Sequence, residues 1–276
     1  ITDIEVMQHY IRMCGDGWDQ GWHERNGGNL TYRMTEEDVA KVRGGFDSEP
    51  REWVDLGFSE PTLANAYFLI TGSGAYMHNV SASPIENIGI VEMNEAGSAY
   101  RVVWGLMNRK PTSELPTHIM NHAIRMKATD GACRVIYHAH PNNIIAMTFV
   151  EPLDARTFSR ALWKAMTECV VVFPEGVGVV PWMVPGGNEI AKATSEQMKS
   201  YPAVIWAQHG LFVSGADFDE TFGLMHCIEK AADIYFRART MNGGSNEFLN
   251  TITDEGLAQI GVEFNVDINK EFLDVQ

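Results

Sequence analysis

One α/β domain, a mixed sheet covered by helices, is the fold class that this sequence predicts over residues 1–276. Three observations lead there. Short apolar runs rich in β-prone residues, such as Ala66–Ile70, Val135–His138 and Ala203–Trp206, alternate with stretches of helical apolar spacing. No repeat, low-complexity tract or linker divides the chain. Histidines from the middle and the last third, His138, His140 and His209, stand at the ends of apolar runs. They can share one site only if those runs share one sheet.

In chain order, apolar residues at Ile4, Met7, Ile11 and Met13–Cys14 predict a helix over Asp3–Trp18. Asn26-Gly-Gly-Asn29 follows, a tight turn that exposes amides and two carboxamides before a strand from Leu30; taken alone, a plain hairpin turn accounts for it better. Thr35–Arg43 is a short polar helix with Thr35 as its cap and Asp38 in its first turn. Gly44–Asn65 reads as a less regular insertion. The strand Ala66–Ile70 then runs into Thr71-Gly-Ser-Gly74, whose small residues leave backbone amides open to an anion. It is no Walker loop, since no Gly-Lys-Ser/Thr occurs there.

Asn87–Val91 and Ala99–Gly105 predict an antiparallel hairpin around Asn94–Gly97. Pro111-Thr-Ser-Glu114 opens a helix to Ala128, with Thr112 or Ser113 as cap and Glu114 at its positive end. An ordinary first-turn carboxylate is the simpler account of Glu114. Asp154–Met166 is helical, and Glu168-Cys-Val-Val-Val-Phe-Pro174 reads as a strand. A helix spans Gly186 to about Lys199, and Asp217-Phe-Asp-Glu220 caps a long helix to about Arg239. The polar tail, Gly243–Gln276, carries no recognisable chemistry.

The composition narrows the function. There are 21 lysines and arginines against 36 acidic residues, a formal charge of −15, which disfavours nucleic-acid and anionic-membrane partners. Four scattered cysteines without a Cys-x-x-Cys pair suit free thiols in a reducing compartment. Ile1–Trp22 lacks the basic start and apolar middle of a signal peptide, so a cytoplasmic protein is expected.

The chemistry centres on Arg134-Val-Ile-Tyr-His-Ala-His-Pro-Asn-Asn143. Side chains alternate along a strand, so His138 and His140 point the same way from its end. With His209 they would form a three-histidine metal site with an open position, the catalytic pattern for zinc; cobalt, manganese or iron also suit imidazoles. Satisfied core histidines are the plainer reading of the tripeptide alone. His118 and His122, four apart on the Leu115–Ala128 helix, are a rival pair, better suited to supporting or core roles.

Taken together, Asn26-Gly-Gly-Asn29, Thr71-Gly-Ser-Gly74, Pro111-Thr-Ser-Glu114, His138-Ala-His140 and Gln208-His-Gly210 resemble, in order and spacing, the class II sugar-phosphate aldolases. The likeness runs from about Gly21 to Arg239. It is greatest to the branch acting on rhamnulose phosphate, with the fuculose-phosphate branch, a phosphopentose epimerase and a non-catalytic adducin-like module as alternatives. The resemblance implies an α/β/α domain with a mostly antiparallel sheet, assembled as a homotetramer with sites near subunit interfaces. It implies one zinc ion per subunit on His138, His140 and His209, and Glu114 as acid/base. A substrate phosphate would be held by Asn26, Asn29, Ser73, Thr112 and Ser113. Glu168, by itself a solvated helix-end charge, coincides with a second glutamate that serves a neighbouring subunit's site.

Overall fold

The computed structural model describes residues 1–275. Nine strands form one sheet in the order β2-β5-β4-β3-β1-β6-β9-β8-β7. Along the chain these are β1 (Asn29–Arg33), β2 (Val54–Asp55), β3 (Tyr67–Thr71), β4 (Ile88–Met93), β5 (Ala99–Gly105), β6 (Val135–Ala139), β7 (Gly178–Val180), β8 (Ala203–Trp206) and β9 (Gly210–Gly215). Every neighbouring pair is antiparallel except β7 with β8. The sheet is therefore mixed, as the sequence predicts, and mostly antiparallel, as the resemblance implies.

Among the described residues ten α-helices accompany it: α1 (Glu5–Asp19), α2 (Glu36–Val42), α3 (Pro84–Asn87), α4 (Leu115–Ala128), α5 (Asn142–Met147), α6 (Ala155–Ala165), α7 (Glu168–Val172), α8 (Asn188–Met198), α9 (Phe218–Met241) and α10 (Asp254–Glu263). None is long and apolar enough to cross a membrane among the described residues. The expected caps form at α2, where Thr35 and Asp38 make a reciprocal capping box, and at α9, where the Asp217 carboxylate accepts from the Glu220 amide.

The period-2 alternation of the strands divides the core into two faces. Leu30, Tyr32, Leu69, Val135, Tyr137, Leu211 and Val213 bury themselves under α1, α5, α6 and α9. Their neighbours Phe68, Ile70, Ile136, Val204 and Phe212 pack under α4 and α8 on the opposite face. By the same alternation Asn29, Thr31 and His138 lie on the α4 face, and this parity builds the site.

Two expectations are corrected. Glu168–Phe173 is not a strand: Glu168–Val172 is the helix α7, because Cys169, Val170 and Phe173 recur at helical spacing and are buried against the main core. Packing overrides the weak β preference of the valines. Neither Thr112 nor Ser113 caps α4; Glu114 occupies that position, and Thr112 Oγ1 accepts from the Glu114 amide at 3.3 Å. The tail is structural: α10 returns to the core through Leu257, and Ile268, Phe272 and Leu273 follow it. Buried Asp254, bonded to Arg160 (2.7 Å) and Lys164 (2.6 Å), anchors the segment, and those bonds hold its carboxyl well below the usual range despite burial.

Candidate active site

Four segments meet at one end of the sheet. β6 runs out into it, β1 begins beside β6 with Asn29 opposite His138, and the turn 207–209 joins β8 to β9 there. The fourth is the N-terminus of α4, marked by Glu114.

His138 and His140 converge as their spacing predicts, with Nε2 atoms 3.2 Å apart. With His209 they form a group whose candidate ligand atoms all lie within 4.8 Å of one another. The other ring nitrogens are engaged: His138 Nδ1 donates to the Leu211 carbonyl at 3.1 Å, and His140 Nδ1 to the Glu24 carboxylate at 2.8 and 2.9 Å. When both rings are neutral, protons on both Nδ1 atoms leave bare lone pairs on both Nε2 atoms. Two lone pairs so close cannot hydrogen-bond each other, whereas they fit a shared cation. Burial holds His138 well below the usual imidazole range. His209 is pushed down to about 4, first by burial and then by His140. Neutral imidazole is the form that ligates a metal.

Close packing lets the rings approach. A Cβ on Gly210 would stand 2.8 Å from His138 Cε1 and 2.9 Å from His140 Cδ2. Gln208, just before His209, adopts φ 54°, a left-handed conformation that non-glycine residues rarely take. Thr148 holds it there, accepting from the Gln208 amide at 3.0 Å and from its side chain at 2.8 Å.

Glu114 is buried beside the histidines, 3.6 Å from His138 Nε2 and 3.9 Å from His209 Nε2. With neutral rings these are not ion pairs. Asn29 Nδ2 donates to its Oε2 at 2.7 Å. Burial raises the Glu114 carboxyl to about 7 and the Asn29 bond opposes that rise, so the group can change protonation near neutral pH.

The loops around Ser73 and Thr112 are stitched together next to Glu114. Gly72 bridges Pro111, the Thr112 amide donates to the Thr71 carbonyl at 3.0 Å, and the Ser73 amide to the Lys110 carbonyl at 2.8 Å. Thr71 Oγ1 accepts from the Leu30 amide at 3.2 Å, tying this cradle to β1. Asn29 and Thr112 are buried, while Asn26, Ser73 and Ser113 are exposed. Glu168 is not joined to this cluster within the chain; it is exposed at the start of α7, which packs on α6, α9 and α10. His118 and His122 are buried and both bond the Thr31 hydroxyl, the supporting role their sequence suggests.

Sequence reasoning missed two groups. Glu24 reaches His140 because the His140 amide donates to the Trp22 carbonyl at 2.9 Å, a cross-chain contact that no local pattern announces. Arg109 Nη1 donates to the Ser73 carbonyl at 3.3 Å and sets a guanidinium beside the cradle; a lone arginine ahead of Pro111 gave no signal.

Comparison with known proteins gives the chain a family. The family model described as the class II aldolase and adducin N-terminal domain matches residues 8–236. Proteins named rhamnulose-1-phosphate aldolase from Shigella sonnei and from Escherichia coli O7:K1 are each 45% identical over 267 residues, 96% of this chain and 96% of the relative. Among solved structures, a sugar-phosphate aldolase from Thermotoga maritima superposes with a TM-score of 0.73 at 28% identity, covering 88% of this chain and 97% of that one. An L-fuculose 1-phosphate aldolase shares the fold at TM-score 0.60 and 22% identity, over 95% of this chain and 96% of that one.

Proposed function

This chain belongs to the class II aldolase and adducin family, and from that premise we propose that it catalyses the zinc-dependent, reversible cleavage of L-rhamnulose 1-phosphate to dihydroxyacetone phosphate and L-lactaldehyde. The observation that carries the reading is the convergence of three imidazoles, two of them within 4 Å of the buried Glu114 carboxyl. The 45% identity to relatives named for this substrate supports the choice of sugar.

His138, His140 and His209 would hold one zinc ion per chain. When bound, the ion supplies Lewis acidity for the two adjacent oxygens that become negative as the carbon–carbon bond breaks. Glu114 holds and moves the proton at carbon, a task suited to a carboxyl raised by burial toward neutral pH. Asn26, Asn29, Ser73, Thr112 and Ser113 receive the phosphate, with the Arg109 guanidinium nearby. The motifs contain no lysine that could form a Schiff base, in keeping with the metal-dependent route. The hydroxyl proton needs a second carrier, because Glu114 is engaged at carbon. We assign it to Glu168 reaching a neighbouring subunit, which requires a homotetramer with sites near its interfaces; the exposure of Glu168 supports this.

The test offers zinc-loaded protein L-rhamnulose 1-phosphate and L-fuculose 1-phosphate separately and follows lactaldehyde release. A higher kcat/KM for the first is expected. Equal or better cleavage of the second moves the assignment to the fuculose branch, and no cleavage of either by metal-loaded protein leaves the assembly-module reading.

A further inference from the structure

We propose that His122, Thr31 and His118 form a one-way hydrogen-bond relay that locks the Asn29 carboxamide with its N–H, not its carbonyl, facing the site. The functional consequence rests on reading the site as one that receives an anionic sugar phosphate.

Geometry sets the relay. Glu114, His118 and His122 recur every four residues, a rise of about 6 Å along a helix. Asn29 and Thr31 are two apart on β1, a rise of about 6.6 Å. Both rows lie between α4 and the same sheet face, so the two periodicities stay in step and each polar group meets the next. His122 Nε2 is 2.8 Å from Thr31 Oγ1, and Thr31 Oγ1 is 2.7 Å from His118 Nδ1. His118 Nε2 bonds Asn29 Oδ1, and Asn29 Nδ2 is 2.7 Å from Glu114 Oε2. All five residues are buried.

The direction of the bonds follows from either end. At the far end, His122 Nδ1 is buried with no partner among the described residues. An unpaired buried N–H is rarer in proteins than an unpaired acceptor, so the ring's single proton sits on Nε2 and is donated to Thr31. The hydroxyl has one hydrogen left to give, and His118 Nδ1 accepts it. The His118 proton is then on Nε2, and Asn29 Oδ1 accepts that. Only the Asn29 N–H groups remain to face Glu114. At the near end, an ionised Glu114 accepts and does not donate, which favours the same orientation; the far end holds it when Glu114 carries a proton. Burial keeps both rings neutral, pushing His118 down to about 3 and His122 well below its usual value. Neither ring gains the second proton that would scramble the order.

A carboxamide is nearly symmetric in shape, so without the relay it can turn over at little steric cost. A reversed Asn29 would set a carbonyl against the phosphate or against Glu114. Thr31 touches neither metal nor substrate and is a positioning residue.

Thr31→Val keeps the shape and removes the hydroxyl; Thr31→Ser restores it. Inorganic phosphate binding to zinc-loaded protein is measured by calorimetry, and the ring nitrogens of His118 by NMR of histidine-labelled protein. Wild type and Thr31→Ser should show a bare Nδ1 and a protonated Nε2 on His118. Thr31→Val should bind phosphate about tenfold more weakly, the scale of one hydrogen bond to a charged group, and Thr31→Ser should bind it as wild type does. Unchanged phosphate binding in Thr31→Val, or no recovery in Thr31→Ser, overturns the relay. Should Thr31→Val fail to fold, the wild-type spectrum decides alone: a protonated His118 Nδ1 overturns it. Sugar cleavage by the same wild-type sample separates the two proposals. Phosphate bound through an ordered relay, with no rhamnulose 1-phosphate cleaved, removes the function and leaves the relay standing.

Discussion

Replacing Glu24 by alanine isolates the hold on one metal ligand. Both Glu24 oxygens lie within 2.9 Å of His140 Nδ1, so the carboxylate fixes the ring's tautomer and raises the basicity of the Nε2 that faces the other histidines. Outer carboxylates of this kind usually contribute about 10- to 100-fold in metal affinity. Glu24 is 67% exposed, and solvent screens its charge, which places it at the low end. Glu24→Ala should therefore weaken zinc binding about tenfold. Glu24→Gln, which keeps an acceptor without the charge, should weaken it by about threefold, half of that loss on a logarithmic scale. Because Glu24 touches no reacting atom, kcat at saturating zinc should stay near wild type in both. Zinc affinity is read by competition with a fluorescent chelator, and kcat from aldehyde release. Wild-type zinc affinity in Glu24→Ala would show that something else orients His140. A large loss of kcat at saturating zinc would place Glu24 in the chemistry and refute the reasoning.

Glu114→Gln should lower kcat by about 10²- to 10⁴-fold while zinc content falls less than in His138→Ala; normal turnover would leave Glu114 only its place at the start of α4. Glu168→Ala should retain zinc and fold but lose most cleavage. Hybrid tetramers of inactive Glu168→Ala and inactive Glu114→Gln chains should regain some activity, and hybrids verified by mass that regain none would confine both carboxylates to one chain or make Glu168 structural. The folded pKa values of His118 (about 3), His23 (about 4) and His209 (about 4) are depressed by burial below the ordinary 6.5. Their unfolded forms bind protons first, so chelator-treated protein should lose stability as pH falls below about 6.5. Glu114, raised to about 7, opposes this only between about 4.5 and 7. Urea midpoints that stay flat from pH 6.5 to 4 would contradict those burial effects.

The legible parts of the chain were those whose signal is local. Alternation placed His138 and His140 on one face, and Thr35 and Asp217 announced their caps, because a few adjacent residues decide such features. Glu168–Val172 reads as a strand because the β preference of its valines is local, whereas the helix is decided by burying Cys169, Val170 and Phe173. The packing of the tail is not legible locally, because its buried apolar residues are widely spaced and Asp254 draws its partners from α6. Within the site, the histidines were legible, while Glu24 and Thr31 were not. Their roles come from register, β1 beside β6 and α4 laid over both, which one sequence does not display.

The most direct test of the central claim is a zinc titration of chelated protein with cleavage of L-rhamnulose 1-phosphate as the readout. Activity should be absent at the start, rise linearly with added zinc, and stop rising at one ion per chain. The His209→Ala variant should need far more zinc for any response. Full cleavage by protein verified to be free of metal would contradict the account.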